Sequence, residues 1–122
     1  MIQRGIIVAR IKPGAKDEVA RLFAESDAGE LPALAGVRHR SLFMLGNVYV
    51  HLVEIERDFE GAVAEVRHHP LFRELSASLE PYIEPYDPST WRSPRDAMAE
   101  EFYSWDAAST GAHQKTPFEE GT

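Results

Sequence analysis

Apolar positions along this chain change their period several times, and each change marks an element. QRGIIVARI (3–11) is rich in β-branched residues and stops at Pro13-Gly14, so it predicts a first strand. Over 15–28, Val19, Leu22 and Phe23 recur at helical spacing, with Gly29 as the stop. ELPALAG (30–36) carries Pro32 and Gly36, which predict a loop. VRHRSLFMLGNVYVHLVE opens a hairpin over 37–56 with Gly46-Asn47 at its turn. A helix over 58–69, capped by Asp58, is interrupted at Pro70. A second helical piece, 70–80, aligns Leu71, Leu75 and Leu79, and PYIEPY (81–86) is a short extended segment whose prolines suit a sheet edge.

The order strand, helix, strand, strand, helix, strand is that of a ferredoxin-like α+β fold, an antiparallel sheet with helices on one face. An apolar second sheet face would need a cover, which makes a homodimer the natural expectation. Beyond residue 87 the pattern weakens. Residues 89–105 predict a short helix after Ser93-Pro94, a strand through Phe102–Trp105, or both, and the aromatics there suggest a docked segment. Residues 106–122 are small, polar and aperiodic, which predicts a disordered tail behind a single domain over 1–105.

The hairpin contains a chemical anomaly. Two arginines and two histidines sit among Val, Leu, Phe and Met, where desolvation is costly. With a two-residue turn, 44 pairs with 49, 42 with 51 and 40 with 53. One face then carries Arg40, Leu42, Met44, Tyr49, His51 and Val53, and the other His39, Ser41, Phe43, Val48, Val50 and Leu52. Arg40 and His51 become diagonal neighbours roughly 7–8 Å apart. A guanidinium can hold a developing oxyanion or enolate, and an imidazole can pass a proton. The cation would also lower the pKa of its histidine neighbour. The plainer alternative is that Arg40 snorkels to the sheet edge while His51 bonds a neighbour. Asp27, at the end of the first helix, is disfavoured by the helix dipole, so an arginine facing it would be its natural partner.

Composition narrows the chemistry. The 122 residues carry a formal charge of -7, which argues against a nucleic-acid partner, and they contain no cysteine, which removes thiolate and disulfide chemistry. No apolar run is long enough to span a bilayer, and the N-terminus does not read as a signal peptide, so the expected setting is the cytoplasm. His68-His69 lacks an evident third metal ligand. Tyr82, Tyr86, Trp91, Tyr103 and Trp105 suit either an aromatic ligand or packing. There is no phosphate loop, nucleophile elbow or nucleotide fingerprint, so no cofactor is expected.

The motifs go further than the periodicity. FAESDAGELPALAGVRHRSLFMLGNVYVHLVE (23–54), HPLF (69–72) and EEFYSW (100–105) together resemble the aromatic polyketide cyclases, over residues 1–105. The resemblance implies a homodimer of the dimeric α/β-barrel type, with a pocket between sheet and helices for a partly cyclised, planar polyketide. It implies a lyase-type reaction, cofactor-free intramolecular aldol closure of a later ring with loss of water, in type II polyketide biosynthesis. The family's pocket residues fall on Asp27, Arg40 and His51, with Ser26, Tyr49, Met44 and Trp105 as candidate substrate contacts. Ser26 departs from the family's type enzyme, which has a histidine there. Either Asp27 or His51 would be the base. Two other readings share the fold: a cofactor-free monooxygenase acting on anthrones, and a non-catalytic subunit that steers a polyketide synthase complex.

Overall fold

The computed structural model describes residues 2–90 and 94–107. Trp91 and residues 108–122, most of the predicted tail, lie outside the described residues. Among the described residues, β1 (Gln3–Ile11), β2 (Val37–Leu45), β3 (Val48–Ile55) and β4 (Ile83–Pro85) form one antiparallel sheet in the order β2-β3-β1-β4. Helices α1 (Lys16–Asp27), α2 (Leu31–Ala35), α3 (Phe59–Val66) and α4 (Pro70–Leu79) join the strands. This is the ferredoxin-like α+β fold.

Burial in β3 alternates residue by residue, which assigns its two faces. On the helix-covered face, Ala9 and Ile11 of β1 and Tyr49 of β3 form a core with Val19 and Phe23 of α1. Leu42, Leu75, Leu79, Tyr82 and Ile83 pack against it. A second cluster joins Val53 and Ile55 to Ala62 of α3, with Phe59 beside it. The opposite face carries Ile6, Val8, Val50 and Leu52 half-buried and Phe43 exposed.

The breakers serve as punctuation. Asp58 caps α3 by accepting from the Gly61 N–H at 2.7 Å. Pro70 opens α4, where His69 caps the helix by accepting from the Leu71 N–H through Nδ1 at 3.1 Å. That nitrogen has a structural task, and among the described residues no group of three potential ligands is placed to hold a metal ion. The expected loop at 30–36 is instead a helical turn. Pro32 stands in its first turn, where a missing N–H costs nothing, and Gly36 closes it at φ 77°.

Residues beyond 87 only partly follow their pattern. A 3-10 turn forms at Pro94–Ala97, after the predicted Ser93-Pro94 start, while 102–105 form no strand. Met98 bridges to Ile7 and the Ala99 N–H donates to the Ile6 carbonyl, covering the β1 edge past the end of β4. Of the aromatics described there, Phe102 is 90% exposed, and Tyr103 and Trp105 are exposed as well. Pro85 sits on edge strand β4, as its missing N–H requires.

Gly5 fixes how closely α3 and the Met98 segment approach the sheet. A Cβ there would lie 2.5 Å from the Phe59 ring and 3.0 Å from Met98. Gly5→Ala therefore forces the ring aside, with an expected loss of about 1–3 kcal/mol. The check is a lower urea midpoint at unchanged slope.

Candidate functional site

The β2–β3 turn makes the site possible. Gly46, at φ 60°, occupies the first central position of a two-residue turn, the place where a backbone of this hand favours glycine. The resulting register pairs Leu45 with Val48, Met44 with Tyr49, Leu42 with His51 and Arg40 with Val53. Arg40, Tyr49 and His51 therefore share the helix-covered face. A shift between Val37 and His39 in the β2 register leaves the pairing from Arg40 to the turn intact.

Helix α1 supplies the other wall. Val19, Phe23 and Asp27 recur every four residues, so the stripe that buries Val19 and Phe23 also directs Asp27 toward the sheet. The Asp27 carboxylate accepts side-on from one edge of the Arg40 guanidinium, Nη2 to Oδ1 at 2.8 Å and Nε to Oδ2 at 3.0 Å. This planar, bidentate pair offsets the unfavourable position of a carboxylate at a helix C-terminus. Arg40 Nη1 lies 3.0 Å from His51 Nε2. The guanidinium carbon stands 4.9 Å above the Phe23 ring, and the His51 ring meets that same ring edge-on at 5.2 Å.

The cluster is largely removed from water. His51 is 8% exposed, and the side chains of Arg40 and Asp27 are 13% and 38% exposed. Burial is the main force on the imidazole, and the Arg40 charge adds to it. Together they outweigh Asp27 and lower the His51 pKa to about 4, leaving the ring neutral at neutral pH. Tyr49, whose ring lies 6.2 Å from that of His51, has its phenol pKa raised by burial against the opposing pull of Arg40. A fixed cation, a neutral imidazole, a carboxylate on the open side and a protonated phenol can together bind an oxyanion and move a proton.

The structure thus brings together Asp27, Arg40 and His51, with Tyr49 beside them. Ser26 is half-buried next to Asp27, and its carbonyl accepts the Gly29 N–H that follows the helix. Met44 lies opposite Tyr49 near the hairpin tip and is 46% exposed. Trp105 stands apart, with Ile2, Gln3, Arg4 and Tyr103, in an open concavity of about 720 Å³ that none of the three clustered residues lines. Phe23, which the sequence showed only as one of the apolar positions at helical spacing, is the contact not foreseen. Its spacing of four residues from Asp27 was the available signal.

Comparison with known proteins identifies the family to which this fold belongs. Residues 3–106 match the polyketide synthesis cyclase family. The chain is 48% identical over 105 residues to the polyketide synthase CurG of Streptomyces cyaneus, covering 86% of this chain and 98% of that one. It is 40% identical over 107 residues to tetracenomycin F2 cyclase of Streptomyces glaucescens, covering 88% and 97%. The solved structure of that cyclase superposes with a TM-score of 0.79 over 86% of this chain and 98% of its own. A protein described as an antibiotic biosynthesis monooxygenase from Chloroflexus aurantiacus superposes with a TM-score of 0.54 at 13% identity, covering 71% and 86%, a likeness of fold alone. The chain belongs to the polyketide synthesis cyclase family, and as an enzyme it cyclises polyketides.

Proposed function

We propose that the protein closes a later ring of a partly cyclised aromatic polyketide by cofactor-free intramolecular aldol condensation and dehydration, in type II polyketide biosynthesis in the cytoplasm. Residues 1–105 form the catalytic unit, and other components of a polyketide synthase supply its substrate. The observation that carries this reading is the fixed guanidinium of Arg40. Three of its five N–H groups are committed, two to Asp27 and one to His51. One N–H on each terminal nitrogen is left for a substrate carbonyl or phenolate oxygen.

Poly-β-ketones suit such a site because their methylene protons are already acidified by two carbonyls, so neither a strong base nor a cofactor is required. A base removes one proton, and the enolate oxygen takes its hydrogen bond from Arg40. The enolate carbon then bonds to a second carbonyl carbon, whose oxygen becomes an alkoxide and takes back the proton. Loss of a neighbouring C–H proton and of the hydroxyl as water leaves a double bond and an aromatic ring, with no net redox change. Choosing which carbonyl meets which carbanion is the harder task. Holding the chain in one fold is worth several kcal/mol, about 7–11 at the extreme. Ser26, Tyr49 and Met44 would contact the substrate around this centre, whereas Trp105, in its separate concavity, has no place in it. The polyketide reading of the substrate draws on the relatives' descriptions as cyclase and polyketide synthase.

The outer sheet face supports a homodimer. Its half-buried Ile6, Val8, Val50 and Leu52 and exposed Phe43 form an apolar surface that a second copy covers by the same patch, a self-complementary contact.

Product analysis and light scattering check this reading. Adding the protein to a minimal polyketide synthase shifts the products toward the later-ring aromatic compound without oxygen uptake. Arg40→Ala abolishes that shift and lowers kcat/KM by about 10²–10³, while Arg40→Lys restores a minor part, since an ammonium cannot hold the bidentate geometry. An unchanged product profile with Arg40→Ala would sink the site assignment. Val50→Glu converts the dimer to a monomer in light scattering, and a wild-type monomer would refute the covered face.

A further inference from the structure

Building on the aldol reading, we infer that His51 is a positioning residue, whose Nε2 holds the Arg40 guanidinium in its working plane, and that Asp27 is the group that removes the substrate's methylene proton. Sequence and family resemblance leave Asp27 and His51 equal as candidates for the base. Their hydrogen bonds to Arg40 separate them.

A guanidinium has donors and no acceptor. At 3.0 Å from Arg40 Nη1, His51 Nε2 must therefore accept, which fixes the neutral tautomer with its proton on Nδ1. The lone pair a base would use is already engaged. For His51 to take a proton it must surrender Arg40 and then stand as one cation against another. It is also enclosed, with Phe23 against its ring and only 8% of the residue exposed. The charged and titratable groups around it are Arg40 from β2, Asp27 from α1 and Tyr49 from β3. Burial and the Arg40 charge both disfavour the imidazolium, and Asp27 only partly opposes them.

Asp27 is placed differently. Each of its oxygens accepts one N–H from Arg40, and each keeps a second lone pair. Its side chain, at 38%, is the most exposed of the three and the one solvent reaches most readily. The Arg40 pair locks the carboxylate plane, so the remaining lone pairs have a defined direction. With serine at position 26, the residue preceding Asp27 brings no imidazole. His39 lies on the opposite sheet face with its Nε2 against Ser41 Oγ at 2.8 Å. The proton balance closes on one group. Asp27 takes the methylene proton as the enolate forms and returns it to the alkoxide. It then takes the second C–H proton and delivers it to the departing hydroxide as water.

The test uses the full chain, an aryl 1,3-diketone probe deuterated at its methylene, and ¹⁵N-histidine NMR. Wild-type protein washes out the deuterium. Asp27→Asn slows wash-out by about 100-fold or more, and His51→Phe slows it comparably by freeing Arg40. His51→Gln, whose carbonyl accepts from Arg40 but cannot act as a base, restores wash-out to within about tenfold of wild type. In the spectra the His51 ring is the Nδ1–H tautomer with a midpoint of about 4. Loss of wash-out with His51→Gln equal to that with Asp27→Asn, or an Nε2–H tautomer titrating at its ordinary value, would overturn the inference. Wild-type protein that leaves the deuterium in place yet shifts the synthase products would remove Asp27 as the base. If both signals are missing, the aldol reading itself fails, and the tautomer still decides how His51 meets Arg40.

Discussion

The Arg40 guanidinium, brought largely out of water, is the constraint on which the site depends. A cation at 13% side-chain exposure loses most of its hydration and must recover it from protein groups. Asp27 returns two charge-assisted hydrogen bonds, His51 one more, and Phe23 the face of its ring. A cation–π contact of this kind is worth about 0.5–2 kcal/mol. Apolar residues of similar volume would serve stability as well or better. A gain in folding free energy therefore does not explain the arrangement, and the proposed reaction gives an oriented, permanently charged donor a use at an oxyanion.

Orientation of that cation links the local sequence to the whole fold. Arg40 reaches His51 because the Gly46-Asn47 turn sets an even register, and it reaches Asp27 because α1 buries Val19 and Phe23 against the same sheet face. A slip of one residue in β2 would move Arg40 to the outer face and leave both partners without it. The partners in turn hold Arg40 at three atoms, so its long side chain keeps little rotamer freedom. The entropy of fixing it is lost on folding, before a substrate binds, as preorganised electrostatic catalysis requires.

The sheet divides the molecule's tasks. One face carries the core and the polar cluster. The other is apolar, lacks a cover within the described chain, and is suited to a second copy. Family membership and a TM-score of 0.79 to tetracenomycin F2 cyclase place this division in a scaffold whose relatives work on polyketides. The likeness at 13% identity to a protein described as an antibiotic biosynthesis monooxygenase is one of fold alone, and fold alone does not select a reaction.

By itself the sequence determined the order of strands and helices, the hairpin turn, the Asp58 cap and the break at Pro70, because each rests on local periodicity or on one residue's backbone preference. It also set the parity that puts Arg40 and His51 on one face. It misread 30–36 as a loop, since Pro and Gly break a helix only in its interior and here they stand at its ends. Its aromatic pattern could not show that Phe102 would remain exposed, or that Trp105 would stand away from the Arg40 cluster, because docking depends on surfaces distant in the chain. Tertiary structure alone decided that Phe23 supports both Arg40 and His51, and that the imidazole accepts rather than waits as a free base. Spacing fixes which residues share a face. Which nitrogen keeps a lone pair depends on distances of about 3 Å between elements, and those exist only once the layers have packed.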